Sequence, residues 1–271
     1  MIQPIGFHLC VSSDWLVDAV SANIGDFLPC SAPDLLGQPL TAAWCDDAIH
    51  DVRNRMALLR SDEAVEHLLH VPLITNGKPF DLSISRDGDG FAIDAEPSDV
   101  HGFGDATGVV EGILTRLETV GDIADLGDEA TRLLRALTGF DRAIIVGNGQ
   151  VLGEAARTGV DRRDHGVISP ATGDLAVVDC TACGTEVLTL GQKLPGRSTL
   201  RFPTDDEIAA MTAIGVRAAL IVPLKRDGRS WGYVGCFHAA PRHLGAERRN
   251  IIRLFARIIA LRIEIAELRR R

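Results

Sequence analysis

Apolar and polar residues alternate along Pro79-Phe-Asp-Leu-Ser-Ile-Ser-Arg86, the period of a strand with one buried face. Similar runs at Phe7–Val11, Glu66–Leu73 and Gly90–Glu96 predict further strands, and Arg86-Asp-Gly-Asp-Gly90 reads as a hairpin turn between two of them. Ser12-Ser13-Asp14 can cap a helical turn, and residues 17–27 show no clean period. The loop Pro29–Pro33 leads to a short turn that starts at Asp34 and closes at Gly37. Helices are expected around Leu40–His50 and Asp51–Leu59. The first hundred residues therefore read as α+β.

Residues 97–107 are polar and glycine-rich and predict a linker. After it the period changes to that of a helix. Val110, Ile113, Leu114, Leu117, Val120, Ile123 and Leu126 share one stripe, and a second helix is expected over Asp128–Thr138, ended by Gly139. Strands follow at Ala143–Val146, Val151–Ala155, Ala218–Leu224 and Trp231–Phe237. Residues 160–203 show no period, and a helix over Asp205–Ile214 stops at Gly215. The final stretch, Gly245–Arg270, predicts one long helix. In it Ile251, Leu254, Ile258, Leu261, Ile265 and Leu268 recur at alternating spacings of 3 and 4, a seam of the coiled-coil kind. Ile252, Phe255 and Ile259 widen the stripe toward the helix's own domain, and arginines are expected on the remaining face.

Composition narrows the possibilities. With 271 residues, 46% of them hydrophobic, the chain can build two cores. A net charge of −9 without a large basic face argues against nucleic acid. No apolar run is long enough to span a bilayer, and residues 1–30 lack the basic start of a signal peptide, so a cytoplasmic protein with no membrane partner is expected. The six cysteines are scattered, which fits reduced thiols.

Several short stretches together resemble the sensory core of the bacterial phytochromes. Ile2-Gln-Pro-Ile-Gly6, Leu35-Leu-Gly-Gln-Pro-Leu40, Phe80-Asp-Leu-Ser83 and Glu96-Pro97 are similar to its PAS domain. Leu137-Thr-Gly-Phe-Asp-Arg142, Gly153-Glu-Ala-Ala156, Leu200-Arg201, Ile214-Gly-Val-Arg-Ala218 and Trp231-Gly232 through His238 are similar to its GAF domain. The resemblance implies a PAS domain at 1–100 and a GAF domain at 101–271. Each would be an antiparallel sheet flanked by helices, with the long C-terminal helix belonging to the second. It also implies a sensory, ligand-binding role, with biliverdin or another bilin as cofactor.

The same resemblance assigns site residues. Arg201 stands where an arginine pairs a bilin propionate, as a forked guanidinium suits, and Thr204 where a small hydroxyl meets the same group. His238 stands where a histidine meets the terminal pyrrole carbonyl; with haem as ligand it would be the iron ligand. Glu207 replaces a histidine under the ring system, and Asp174-Leu175 stands in for an Asp-Ile-Pro motif. For Glu207 the competing reading is an acidic helix start, Asp205-Asp-Glu207.

The departures matter as much. Bacterial phytochromes attach biliverdin through a cysteine just before the first motif, where this sequence starts, and plant-type attachment uses a Cys-His pair where Asp206-Glu207 stand. Val146 and Ala210 occupy positions of pocket tyrosines, and Tyr233 is the single tyrosine of the chain. Non-covalent binding, with weak or absent photoconversion, is the expectation. Haem binding or haem degradation, although no catalytic signature is visible, and a ligand-free dimerisation scaffold are the alternatives. A homodimer through the terminal helix and an output to a further signalling partner are implied. Cys180-Thr-Ala-Cys183 lacks the second ligand pair of a zinc site, and His67 and His70 share a face only if their segment is helical.

Overall fold

The computed structural model describes residues 1–62, 64–99, 106–160, 173–191, 196–226 and 228–268. The chain forms two compact units: Met1–Val100 with Ala182–Phe202, and His101–Thr181 with Pro203–Arg271. Against the expected division at residue 101, the segment Ala182–Phe202 clusters with the first unit. It returns there because its backbone completes that unit's sheet.

The first unit holds a six-stranded antiparallel sheet. Its strands are β1 (Phe7–Val11), β2 (Val17–Ser21), β3 (Val65–Pro72), β4 (Pro79–Asp87), β5 (Gly90–Pro97) and, from the returning segment, an edge strand at Val187–Thr189, in the order β3-β4-β5-β1-β2-edge. Phe7, Leu9, Val11, Leu82, Ile84 and Ile93 point to one face and build the main core with the helix α2 (Asp46–Met56) and the short helix α1 (Ala32–Leu35). Ser31 caps α1 by accepting from the Asp34 amide. Where two helices were expected over 40–59, a 3-10 turn at Leu40–Ala42 precedes one helix, with Asp46 and Asp47 in its first turn and Arg53 and Arg55 in its last. These charges suit the helix dipole at both ends.

The second unit holds a five-stranded antiparallel sheet. After α3 (Ala106–Glu118) and α4 (Ile123–Thr138) come β6 (Arg142–Gly147), β7 (Gln150–Ala156), β8 (Leu175–Val177), α5 (Asp205–Ala213), β10 (Ala218–Arg226), β11 (Arg229–His238) and α6 (Ala246–Leu268); the edge strand of the first unit is β9 in this numbering. The sheet order is β7-β6-β11-β10-β8. The stripe expected to run as one helix to Leu126 is broken. Asp122 caps a new helix by accepting from the Ala124 amide at 3.2 Å, so α3 ends at Glu118 and α4 begins at Ile123. Arg262 of α6 donates to the Leu117 and Val120 carbonyls at 2.9 and 3.0 Å, taking up acceptors left by the end of α3.

One face of this sheet (Ala143, Ile145, Leu220, Val222, Val234, Cys236) packs under α3, α4 and α6. Ile252, Phe255 and Ile259 are buried there as expected; Ile251 belongs to the same core, and Ile258 is partly buried against it. Leu254, Leu261, Ile265 and Leu268 stay exposed. Arg249 departs from the expected arginine face: it is 3% exposed and donates to the Leu244 carbonyl at 2.5 Å. Among the described residues no helix is long and apolar enough to cross a membrane.

Candidate functional site

The other face of the second sheet is the candidate ligand face. Strand alternation puts Ile144 and Val146 of β6, Ala219 and Ile221 of β10, and Tyr233 and Phe237 of β11 on it, beside Leu175 and Val177 of β8. Helix α5 lays Met211 against them, with Ile208, Ala210 and Ile214 half-buried alongside. Burial pushes the Tyr233 phenol up, and the nearby Arg142 charge offsets part of that. Arg142 Nε lies 2.8 Å from Glu154 Oε1, and the two side chains are only 5% and 19% exposed.

A polar cluster with a local sequence origin lies on the opposite side of the sheet at the end of β11: Phe237 faces the candidate ligand face, so His238, paired with Ala218, faces the side of the helices. Gly139 ends α4 in the left-handed region at φ 63°, where its missing Cβ removes the strain. The chain then reverses into β6 and sets Phe140 and Asp141 beside the last residue of β11, His238. The His238 Nδ1 lies 2.7 Å from Asp141 Oδ2. The same carboxylate oxygen accepts from the Ala239 amide at 3.2 Å, and the Phe140 ring stacks on the imidazole with centroids 5.8 Å apart. Asp141 thus lies against the Nδ1 edge of the ring. Phe140 and Asp141 lie in the Leu137–Arg142 motif and Glu154 in the Gly153–Ala156 motif, and nothing local in either marks the partner across the fold.

The other residues named from the sequence are placed as follows. Thr204 and Glu207 form a capping box at the start of α5: Thr204 Oγ1 accepts from the Glu207 amide at 3.3 Å, and Glu207 Oε2 accepts from the Thr204 amide at 2.9 Å. Asp174 pairs with Arg253 of α6, whose other arm donates to Asn250 at 2.6 Å. Residues 161–172 and 192–195, of the stretch 160–203 without a period, lie outside the described residues. Arg201 lies in the first unit, where it forms a β-bridge with Ile2 and its carbonyl accepts from the Gln3 side chain at 3.1 Å. Cys180 is buried in the second unit, its thiol pushed up by burial, and Cys183 is exposed in the first. His67 Nδ1 meets Ser83 at 3.0 Å, while the His70 amide donates to Asp81 at 3.0 Å across a strand irregularity. Among the described residues no group of three or more His, Cys, Asp or Glu is placed to hold a metal ion.

Residues 122–263 match the family model for the GAF domain, and residues 1–98 match that for the PAS fold. The chain belongs to the GAF domain family as a phytochrome-like PAS–GAF module. It is 24% identical over 98% of its length to the phytochrome-like protein Cph1 of Synechocystis, and 25% identical over 90% to phytochrome E of Ipomoea nil. It spans 40% and 26% of those two relatives. Among solved structures, it is similar to the chromophore-binding domain of Stigmatella aurantiaca phytochrome P1, with TM-score 0.79, 22% identity and coverage of 96% of this chain and 94% of that one. It is likewise similar to that of the bacteriophytochrome RpBphP3 from R. palustris, with TM-score 0.81, 22% identity and coverage of 98% and 95%. These likenesses show the fold. In this phytochrome-like module Val146 and Ala210 both sit at the candidate ligand face, so apolar groups stand where the resemblance puts phenols.

Proposed function

We propose that the second unit of this phytochrome-like module holds a bilin-type tetrapyrrole without a covalent bond and passes its state through α6 to a second copy or a further signalling partner. The observation that carries the reading is the apolar sheet face of Ile144, Val146, Ile221, Tyr233 and Phe237, with Met211 of α5 packed on it. A bound bilin would supply visible-light absorption. The protein's part is to present flat apolar contact along Ile144, Val146, Ile221 and Tyr233. His238, beside Asp141 at the end of β11, is the residue proposed to meet a ring carbonyl. The residues at the two positions of plant-type attachment, Asp206 and Glu207, carry no thiol, which supports a non-covalent mode. Val146 and Ala210 support weak or absent photoconversion.

One observation favours a second reading. A carboxylate behind Nδ1 is also how proteins orient an imidazole whose Nε2 binds metal. A neutral His238 would fit the iron of a haem, and haem degradation belongs with that reading. His238→Ala and Asp141→Asn separate the two. With biliverdin, both variants should shift the long-wavelength band and weaken binding by about tenfold, the worth of one charge-assisted hydrogen bond. With haem, His238→Ala should change the iron coordination spectrum and Asp141→Asn should weaken it. Unchanged spectra and affinities in both variants, for both pigments, would remove His238 from the site.

A further inference from the structure

The first sheet has a second face, and it is polar yet buried. His8 and Cys10 of β1 alternate with the core residues Phe7, Leu9 and Val11 and so point away from the main core, as do Ala92 and Asp94 of β5. His8 Nδ1 lies 2.7 Å from Asp94 Oδ1, and His8 Nε2 lies 3.4 Å from Cys10 Sγ. His8 and Cys10 are both 0% exposed.

The returning segment covers them. Ser198 Oγ donates to Asp94 Oδ1 at 2.6 Å, while the Thr199 amide and hydroxyl donate to Asp94 Oδ2 at 2.5 and 2.8 Å. Above the thiol stands Gly196. A Cβ there would come within 2.8 Å of Cys10 Sγ, 2.9 Å of the Asp87 carboxyl carbon and 3.1 Å of Ala92 Cβ. The cover thus leaves no room for one additional atom above the sulfur.

We propose that residues Gly196–Leu200 form a latch over this face, closed by Asp94 and released by oxidation of Cys10. Leu200, buried and accepting from the Gln3 amide, is the hinge end of the latch; the fully buried thiol meets a hydroperoxide only when the rest opens locally. The Cys10 sulfur gives an electron pair to one peroxide oxygen. An S–O bond forms and the O–O bond breaks. The departing oxygen takes a proton from His8 Nε2, which regains one from the thiol, and leaves as water when the oxidant is hydrogen peroxide. Sulfur is oxidised by two electrons to the sulfenic acid and the peroxide is reduced. The new oxygen occupies the space Gly196 needs, so the oxidised thiol and the closed latch exclude each other. A modification compatible only with the open state shifts the population toward it.

The test treats the full chain with hydrogen peroxide, traps sulfenic acid with dimedone and maps it by mass spectrometry. The exposed Cys183 serves as the internal reference. In the parent protein Cys10 should label much more slowly than Cys183. Gly196→Ala, and separately Ser198→Ala with Thr199→Val, should raise the Cys10 rate relative to Cys183 by about tenfold or more, as loss of a closing contact raises the open fraction. A second readout needs no latch variant. Peroxide should open tryptic cleavage after Arg197 in the parent chain and leave it unchanged in Cys10→Ser. The proposal is overturned if peroxide changes cleavage after Arg197 equally in both, or if the two latch variants leave the Cys10 rate where it was.

Discussion

Asp94→Ala is expected to destabilise the first unit by about 3–5 kcal/mol, the usual cost of removing one partner from a buried ion pair. Asp94 is 4% exposed and serves four donors: His8 Nδ1, Ser198 Oγ, and the amide and hydroxyl of Thr199. Its loss leaves a buried imidazole without a counter-charge and three donors of the returning segment without their acceptor. Urea unfolding followed by the emission of Trp44, buried in the first unit, reads this directly. A change below about 1 kcal/mol, the range of an exposed pair, would show that the cluster is open to water.

The same pair sets a pH dependence. Burial alone would pull the His8 pKa down; the hydrogen bonds to Asp94 and Cys10 and the attraction of Asp94 outweigh it and push the value up to about 10. The unfolded chain titrates near 6.5. Between these values the folded state holds a proton that the unfolded state has released. The stabilisation is therefore complete below about 6.5 and is lost as pH rises through about 10. The groups facing the His8 imidazole are Asp94 of β5 and Cys10, with Ser198 and Thr199 reaching Asp94 from the segment above, while the Ser21 hydroxyl accepts from the His8 backbone amide. In Asp94→Ala the alkaline decline should flatten.

The second large effect concerns α6. Leu254, Leu261, Ile265 and Leu268 are 44%, 60%, 42% and 61% exposed and form one stripe. A contiguous apolar patch of this kind is usually covered in solution. The parent is expected to be a dimer, and Leu254→Glu with Leu261→Glu should yield a monomer by light scattering, because each buries a charge in the seam. These two positions are the right ones to change. Ile251 and Ile258 belong to the seam by spacing, but one is buried in its own domain and the other packs against that core, so charges there would damage the fold itself. A monomeric parent, or an unchanged mass in the variant, contradicts this.

Strands with a buried face were legible because alternation survives in a single sequence: β4, β5, β10 and β11 lie within a few residues of where the pattern puts them. What was lost was short or irregular. β8 and β9 have three residues each, too few for a period, and β9 is an edge strand whose place is set by backbone pairing with β2. The break between α3 and α4 turned on one capping side chain inside a continuous apolar stripe. At the candidate site His238 was legible through the strand it ends. Asp141 was not, since a partner across 97 residues leaves no local mark. The His8–Asp94 pair was hidden for the same reason, although the placement of His8 and Cys10 two apart on a strand already puts them on one face.

An absorption titration of the 271-residue chain with biliverdin, repeated with haem and followed by acid denaturation, tests whether this module holds a tetrapyrrole. A saturable far-red band is expected with biliverdin, disappearing on denaturation with all pigment released from the protein. A Soret band with haem and no far-red band would transfer the site to the second reading. No spectral change with either pigment would contradict the claim that this module holds a tetrapyrrole, and pigment that stays on the denatured chain would contradict the non-covalent mode.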